Sequence, residues 1–254
     1  MLLALDIGNT NITWGVFDGP ELKANFRMQT NAVRTADEYF VLFSQMLETR
    51  QISSRNVKAA IVSSVVPTID MTIEELITKG FKVESLWVGP GIKTAMPIRY
   101  DNPKEVGADR IVNAVAAFSI FKSGLIVVDF GTATTFDLVS PRGEYLGGAI
   151  APGIKISMEA LFRSASKLPR VEFRKPSSVI GKNTVSSMQA GFVFGYVGLV
   201  DEIVTRMKKE ADFECKCVAT GGLATLIAKE SSQIEQVDEM LTLKGLHILY
   251  KLNS

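Results

Sequence analysis

Three aspartates stand where this chain can do chemistry, and each has a glycine two positions away. Asp6 ends the apolar run Leu2-Leu3-Ala4-Leu5 and is followed by Gly8, Asn9 and Thr10. Asp129 ends the run Leu125–Val128 and is followed by Gly131, Thr132, Thr134 and Thr135. A turn of glycine and small hydroxyl residues at a strand end offers backbone amides to phosphate oxygens. A carboxylate next to it can hold Mg²⁺ through water. Asp109 sits in Gly107-Ala108-Asp109-Arg110, at the start of a helical pattern. There it can cap the helix or face a ligand, with Arg110 and the helix-start amides available to an anion. Carboxylates that place a metal and accept a hydroxyl proton, with turns that cradle phosphate, suit phosphoryl transfer.

The elements that must position these residues repeat. Asp6 to Asp129 and Gly8 to Gly131 are each a step of 123 residues, close to half of the 254. After each turn an apolar stretch resumes, through Ile12, Trp14, Val16 and Phe17 in one half and Phe136, Leu138 and Val139 in the other. The pattern predicts a strand, an Asp-x-Gly turn and a return strand in both halves, and from that two similar α/β halves whose Asp turns line one cleft. Further strands are expected over 21–28, 58–66, 83–88, 144–150 and 213–219. Helices are expected over 35–50 (capped by Thr35), 69–79 (stopped at Gly80), 106–121, from Ile154 through Arg163, and over 185–207. The stretch 164–179, with Pro169 and Pro176, reads as irregular, and Val237–Leu249 as a last amphipathic segment. Gly191, Gly195 and Gly198 fall near one face of the 185–207 helix. Glycine there weakens the helix by about 1 kcal/mol each, so another backbone should pack closely, from this chain or from a second subunit. Thr220-Gly221-Gly222 closes the strand 213–219 with a turn that leaves backbone bare.

Composition excludes several classes. A net charge of +1 gives no case for nucleic acid or a membrane surface. No uncharged apolar run approaches the length of a membrane span, and the first residues lack a signal peptide's basic region, so a cytoplasmic protein is expected. Cys215 and Cys217, the only cysteines, read as buried thiols, since no second ligand pair accompanies them. His247, the single histidine, lies far from every motif, which argues against a Ser-His-Asp hydrolase. Neither G-x-x-x-x-G-K-[ST] nor G-x-G-x-x-G occurs.

Taken together, Asp6–Thr10 (DIGNT), Gly107–Arg110 (GADR), Asp129–Thr135 (DFGTATT), Gly147–Gly153 (GGAIAPG) and Thr220–Gly222 (TGG) resemble the type III pantothenate kinases, in that family's order and along nearly the whole chain. The family belongs to the acetate and sugar kinase, Hsc70 and actin superfamily. The resemblance therefore implies duplicated ribonuclease-H-like, actin-like ATPase halves with mixed sheets, here residues 1–118 and 119–254. It implies that Asp6, Ile7, Gly8, Asn9, Thr10, Asn11, Ile12 and Thr13 hold ATP, with Asp6 acting on Mg²⁺ through water and Thr132 contacting the nucleotide. Gly107, Ala108, Asp109 and Arg110 would bind pantothenate, Asp109 taking the proton of its primary hydroxyl, with Tyr100 and Thr184 lining the pocket. Asp129 would hold a monovalent cation, K⁺ or NH₄⁺. The family's homodimer favours the interface reading of the glycine-bearing helix. Two rival readings are a kinase for another small alcohol and a non-enzymatic regulatory accessory factor; the intact Asp6, Asp109 and Asp129 argue against the latter.

Overall fold

A continuous apolar run, a tight turn and a return strand build a hairpin at the start of each half. The computed structural model describes all residues, Met1–Ser254. β1 (Leu2–Ile7) turns into β2 (Asn11–Asp18), with Asp6 opposite Thr13 and Ile7 opposite Ile12. β3 (Glu21–Gln29) extends this antiparallel ribbon. The chain then passes through α1 (Ala36–Glu48), β4 (Ala59–Ser64), α2 (Pro67–Glu75) and β5 (Ser85–Trp87). Because β4 and β5 are reached through helical crossovers, they join in parallel, and the sheet order is β3-β2-β1-β4-β5.

After α3 (Ala108–Phe121) the scheme repeats with β6 (Gly124–Phe130), β7 (Ala133–Val139), β8 (Tyr145–Pro152), α4 (Ile154–Ser164), α5 (Thr184–Glu210), β9 (Cys215–Gly221), α6 (Ala224–Ala228) and β10 (Gln236–Val237). The second sheet runs β8-β7-β6-β9-β10, three antiparallel strands and then parallel neighbours, matching the first strand for strand. The duplicated α/β architecture with mixed sheets is therefore present. α7 (Leu241–Asn253) ends the chain.

The chain forms two compact units: 1–96 with 101–116 and 241–254, and 97–100 with 117–240. A single cut at residue 118 misplaces the last helix. α7 packs on β1, β2 and β4, with Leu243 reaching Gly15, and Thr242 Oγ1 donates to Asn113 Oδ1 at 2.7 Å. Chain order does not decide which sheet a terminal amphipathic helix covers; the apolar face left open does.

In the first unit one buried cluster lies on one face of the sheet, while α7 covers the other. Leu3, Leu5 and Ile7 alternate with residues of the other face, as the pleat requires. They pack with Trp14, Val62, Tyr39 and Phe43, and with Ile69 of α2. Trp14 stacks on Phe43 with ring centroids 4.2 Å apart. Leu2, Ala4 and Asp6 occupy the opposite face. In the second unit Ile126, Val128 and Phe130 pack with Phe136, Cys217, Tyr196 and Val200.

Thr35 caps α1, as the sequence predicts, and the cap is a reciprocal box with Glu38. Gly80 does not stop the second helix. α2 passes into a wider turn over Leu76–Phe81, which ends at Lys82 in the left-handed region (φ 59°). Gly80 is needed elsewhere, because a Cβ there would come 2.6 Å from the Phe40 ring. The 164–179 stretch forms no strand, and only the end of α4, at Ser164, reaches into it. The expected amphipathic segment 237–249 is the end of β10 followed by α7. Close packing within the chain at Gly191, Gly195 and Gly198 is not found: all three are exposed, and no atom lies within 4 Å of where a Cβ would stand.

Candidate active site

Asp6 is half-buried at the end of β1, and the turn after it is tied down from two directions. Gly8 N–H donates to the Asn11 carbonyl at 3.0 Å, closing the turn. Thr30, just past β3, donates its N–H to the Thr10 carbonyl (3.1 Å) and its hydroxyl to the Gly8 carbonyl (2.6 Å). Asn9 and Thr10 are exposed, while Ile7 and Ile12 are fully buried in the core. Any ligand contact of those two isoleucines is therefore through the main chain. Thr30 carries no local sequence signal, because it is 22 residues from the carbonyl it holds.

The helix start that carries Asp109 belongs to the same unit and meets the Asp6 strand through one residue. Val65 N–H, at the exit of β4, donates to the Ile7 carbonyl at 3.0 Å. The Val65 side chain lies 3.8 Å from where a Cβ of Gly107 would stand. Asp109 is not the N-cap: α3 begins at Ala108, so Asp109 lies in the first turn. Its Oδ1 accepts the Arg110 N–H at 2.8 Å and folds back over Gly107, where a Cβ would come within 2.6 Å of it. Glycine at 107 is thus what allows this carboxylate its position. Burial raises the Asp109 pKa above the ordinary aspartate value, against the lowering effects of the Arg110 amide and the Arg110 charge. A carboxylate made more basic in this way is suited to accept a proton.

In the second unit Asp129 stands half-buried at the end of β6. Its Oδ1 leans over Gly221, which has φ +93°; a Cβ there would lie 2.6 Å from that oxygen and 2.7 Å from the Phe130 carbonyl. Carboxylate and carbonyl oxygens converge on a space that only glycine leaves open, a donor set of the kind hard cations take. Gly153 N–H donates to the Thr132 carbonyl at 3.0 Å, bringing the end of the GGAIAPG segment against the turn, where Thr132 is exposed. Tyr100 lies over Gly147, 3.5 Å from where its Cβ would be. Thr184, at the first position of α5, lines a hollow of about 700 Å³ with Gly181, Ser187, Met188 and Gly191, apart from Asp129 and Thr132.

Strand register adds two residues that the motifs did not single out as partners of the aspartates. Across the first sheet Thr13, Asp6 and Ser63 stand side by side on one face; across the second, Thr135, Asp129 and Thr220 do the same. Ser63 and Thr220 are 0% and 1% exposed. The paired serines in an otherwise apolar strand were the available signal for Ser63, but only register says what it stands beside.

No three His, Cys, Asp or Glu side chains gather to hold a metal ion. Asp6 alone fits a cation that arrives with phosphate oxygens and water, as Mg²⁺ usually does. Burial pushes the Cys217 thiol up to about 12, which leaves it unreactive. His247 stacks on Phe17 (4.6 Å between centroids) and lies 2.8 Å from the Gly19 carbonyl, a packing role. No helix is long and apolar enough to cross a membrane.

Comparison with known proteins agrees with this geometry. The family model for type III pantothenate kinase matches residues 2–206. A type III pantothenate kinase of Myxococcus xanthus is 59% identical over 253 residues, covering 100% of this chain and 99% of that one. One from Geobacter sulfurreducens is 57% identical with the same coverage. Among solved structures, a Campylobacter jejuni protein named for the Baf family of transcriptional activators superposes with a TM-score of 0.63 at 20% identity, covering 99% of this chain and 98% of that one. An inorganic polyphosphate/ATP-glucomannokinase from Arthrobacter sp. strain KM gives a TM-score of 0.52 at 14% identity, covering 100% and 99%. These structural likenesses show the fold, that of the actin-like sugar kinases with ribonuclease-H-like halves. By the family model and by close identity along its whole length, the chain belongs to the type III pantothenate kinase family.

Proposed function

We propose that this enzyme transfers the γ-phosphoryl group of ATP to the primary hydroxyl of pantothenate, giving 4′-phosphopantothenate and ADP in coenzyme A biosynthesis. The observation that carries the reading is the half-buried Asp109 carboxylate, made more basic by its surroundings and held at a helix start that Val65 links to the end of β1. Asp109 accepts the hydroxyl proton as the oxygen bonds to the γ-phosphorus, and the bond from that phosphorus to the bridging oxygen breaks to leave ADP. Gly107, Ala108 and Arg110 hold the pantothenate carboxylate or its amide oxygen, and Tyr100 and Thr184 are further pantothenate contacts. The amides of the 6–13 turn hold the ATP phosphates, with Thr132 as a nucleotide contact from the second turn. Asp6 would hold Mg²⁺ through water, and the ion would neutralise phosphate charge. The oxygens of Asp129 and Phe130 beside Gly221 suit K⁺ or NH₄⁺, which would fix the second turn.

The exposed glycines of α5 support a homodimer formed on that face, which sedimentation would report as twice the chain mass. A cytoplasmic location follows from the substrates. The direct test is ADP release from purified protein with Mg-ATP, with and without pantothenate, in K⁺ or in Na⁺. Pantothenate-dependent, K⁺-stimulated turnover is expected. Turnover with another small alcohol and none with pantothenate would refute the substrate.

A further inference from the structure

Ser63 and Ser64 are neighbours in sequence with opposite situations. The Ser64 hydroxyl donates to Asp70 Oδ1 at 2.6 Å and accepts the Val66 N–H at 3.1 Å, so it fixes the entrance to α2. The Ser63 hydroxyl is fully buried and has no hydrogen-bond partner. A buried hydroxyl left unmade opposes folding, so the fold itself does not account for a serine there. Its position is informative. Ser63 pairs with Asp6 across β1 and β4, and paired residues on adjacent strands carry their side chains on the same face. On the other side of Asp6 stands Thr13. The second sheet repeats the arrangement, with buried Thr220 beside Asp129. A buried hydroxyl on the same face as a half-buried carboxylate, one strand away from it, is placed to donate to one of that carboxylate's oxygens.

We infer that Ser63 is a positioning residue for Asp6: its hydroxyl donates to one oxygen of the Asp6 carboxylate when that group turns to hold a hydrated divalent cation with the nucleotide. The inference rests on the metal role proposed above for Asp6. Partners that orient a metal-holding carboxylate typically change metal affinity 10- to 100-fold when removed.

The test is Mn²⁺ binding, followed by electron paramagnetic resonance in the presence of a non-hydrolysable ATP analogue and without pantothenate, so that it is independent of the alcohol substrate. Ser63→Ala should bind Mn²⁺ about 10-fold more weakly. Its melting temperature should be equal or higher, and its affinity for the analogue in EDTA unchanged. Asp6→Asn, measured beside it, separates the two claims. If Asp6→Asn weakens Mn²⁺ binding and Ser63→Ala does not, the inference about Ser63 falls and the reading of Asp6 stands. If Asp6→Asn binds Mn²⁺ as the parent does, both fall. Equal weakening of the metal-free analogue by Ser63→Ala, or a lowered melting temperature, would give Ser63 a structural role instead and overturn the proposal.

Discussion

The two aspartate turns descend from one plan and differ by one residue. Residues 8–10 separate β1 from β2, whereas only Gly131 and Thr132 separate β6 from β7. In each half the residue just past the third strand donates its N–H to the carbonyl of the turn's last residue: Thr30 to Thr10, and Gly153 to Thr132. The longer turn leaves room for a side chain at that place, and the Thr30 hydroxyl uses it to hold the Gly8 carbonyl. The shorter turn leaves none, since a Cβ on Gly153 would run into the Thr132 carbonyl and stand 2.7 Å from that of Gly131. The first turn shares Val65 as a neighbour with the helix start that carries a second carboxylate, Asp109; the second turn sets its carboxylate over bare backbone at Gly221. The repeated hairpin thus ends in two different turns, and one residue of length decides whether a side chain fits where the third strand fastens the turn.

The sharpest way to break this comparison is Asp109→Asn, which should lower kcat by about 10²–10⁴ if Asp109 is the base. The sign of its stability effect follows from burial. With its pKa raised in the fold, Asp109 contributes stability fully below the unfolded pKa and loses it as pH rises through the folded value. At pH 7 the asparagine variant should therefore melt at the same temperature or higher. The acid limb of kcat/KM in the parent should lie above the ordinary aspartate range and be absent from the residual activity of the variant. Near-normal turnover would remove the chemical distinction between the turns.

Gly153→Ala comes next. Its methyl must displace the second turn, at a cost of about 1–3 kcal/mol, read as a lowered melting temperature with a raised KM for ATP. A variant as stable as the parent would show that the shorter turn does not require glycine. Asp129→Ala should abolish K⁺ stimulation while pantothenate dependence persists, and an unchanged K⁺ response would place the cation elsewhere. The smallest effect belongs to Thr30→Val. Losing one hydroxyl-to-carbonyl bond costs about 0.5–1.5 kcal/mol, and urea unfolding should register it with little change in kcat.

The glycine-flanked aspartates, the 123-residue step between them and the apolar run before each one made the duplicated α/β fold legible, because strand, turn and return strand are local patterns. The motif segments were legible for the same reason, down to Asp109 at a helix start. What failed was whatever depended on distant packing. Gly80 looked like a helix stop, but it makes room for Phe40. Asp109 looked like a cap, but it lies inside the first turn and folds over Gly107. The last helix looked like part of the second half, but it covers the first sheet. The α5 glycines admitted packing within the chain, yet nothing in the chain approaches them.

The sequence by itself determined the chemistry on offer and the repeated frame that carries it, since residue type and local periodicity are properties of neighbours along the chain. Only the tertiary structure decided which hydroxyls flank the aspartates, that Thr30 and Gly153 fasten the two turns, and that half-buried Asp109 is shielded from water enough to gain basicity. Those outcomes depend on strand register, on main-chain hydrogen bonds between residues 20 or more positions apart, and on exclusion of water, none of which a residue's sequence neighbours can set.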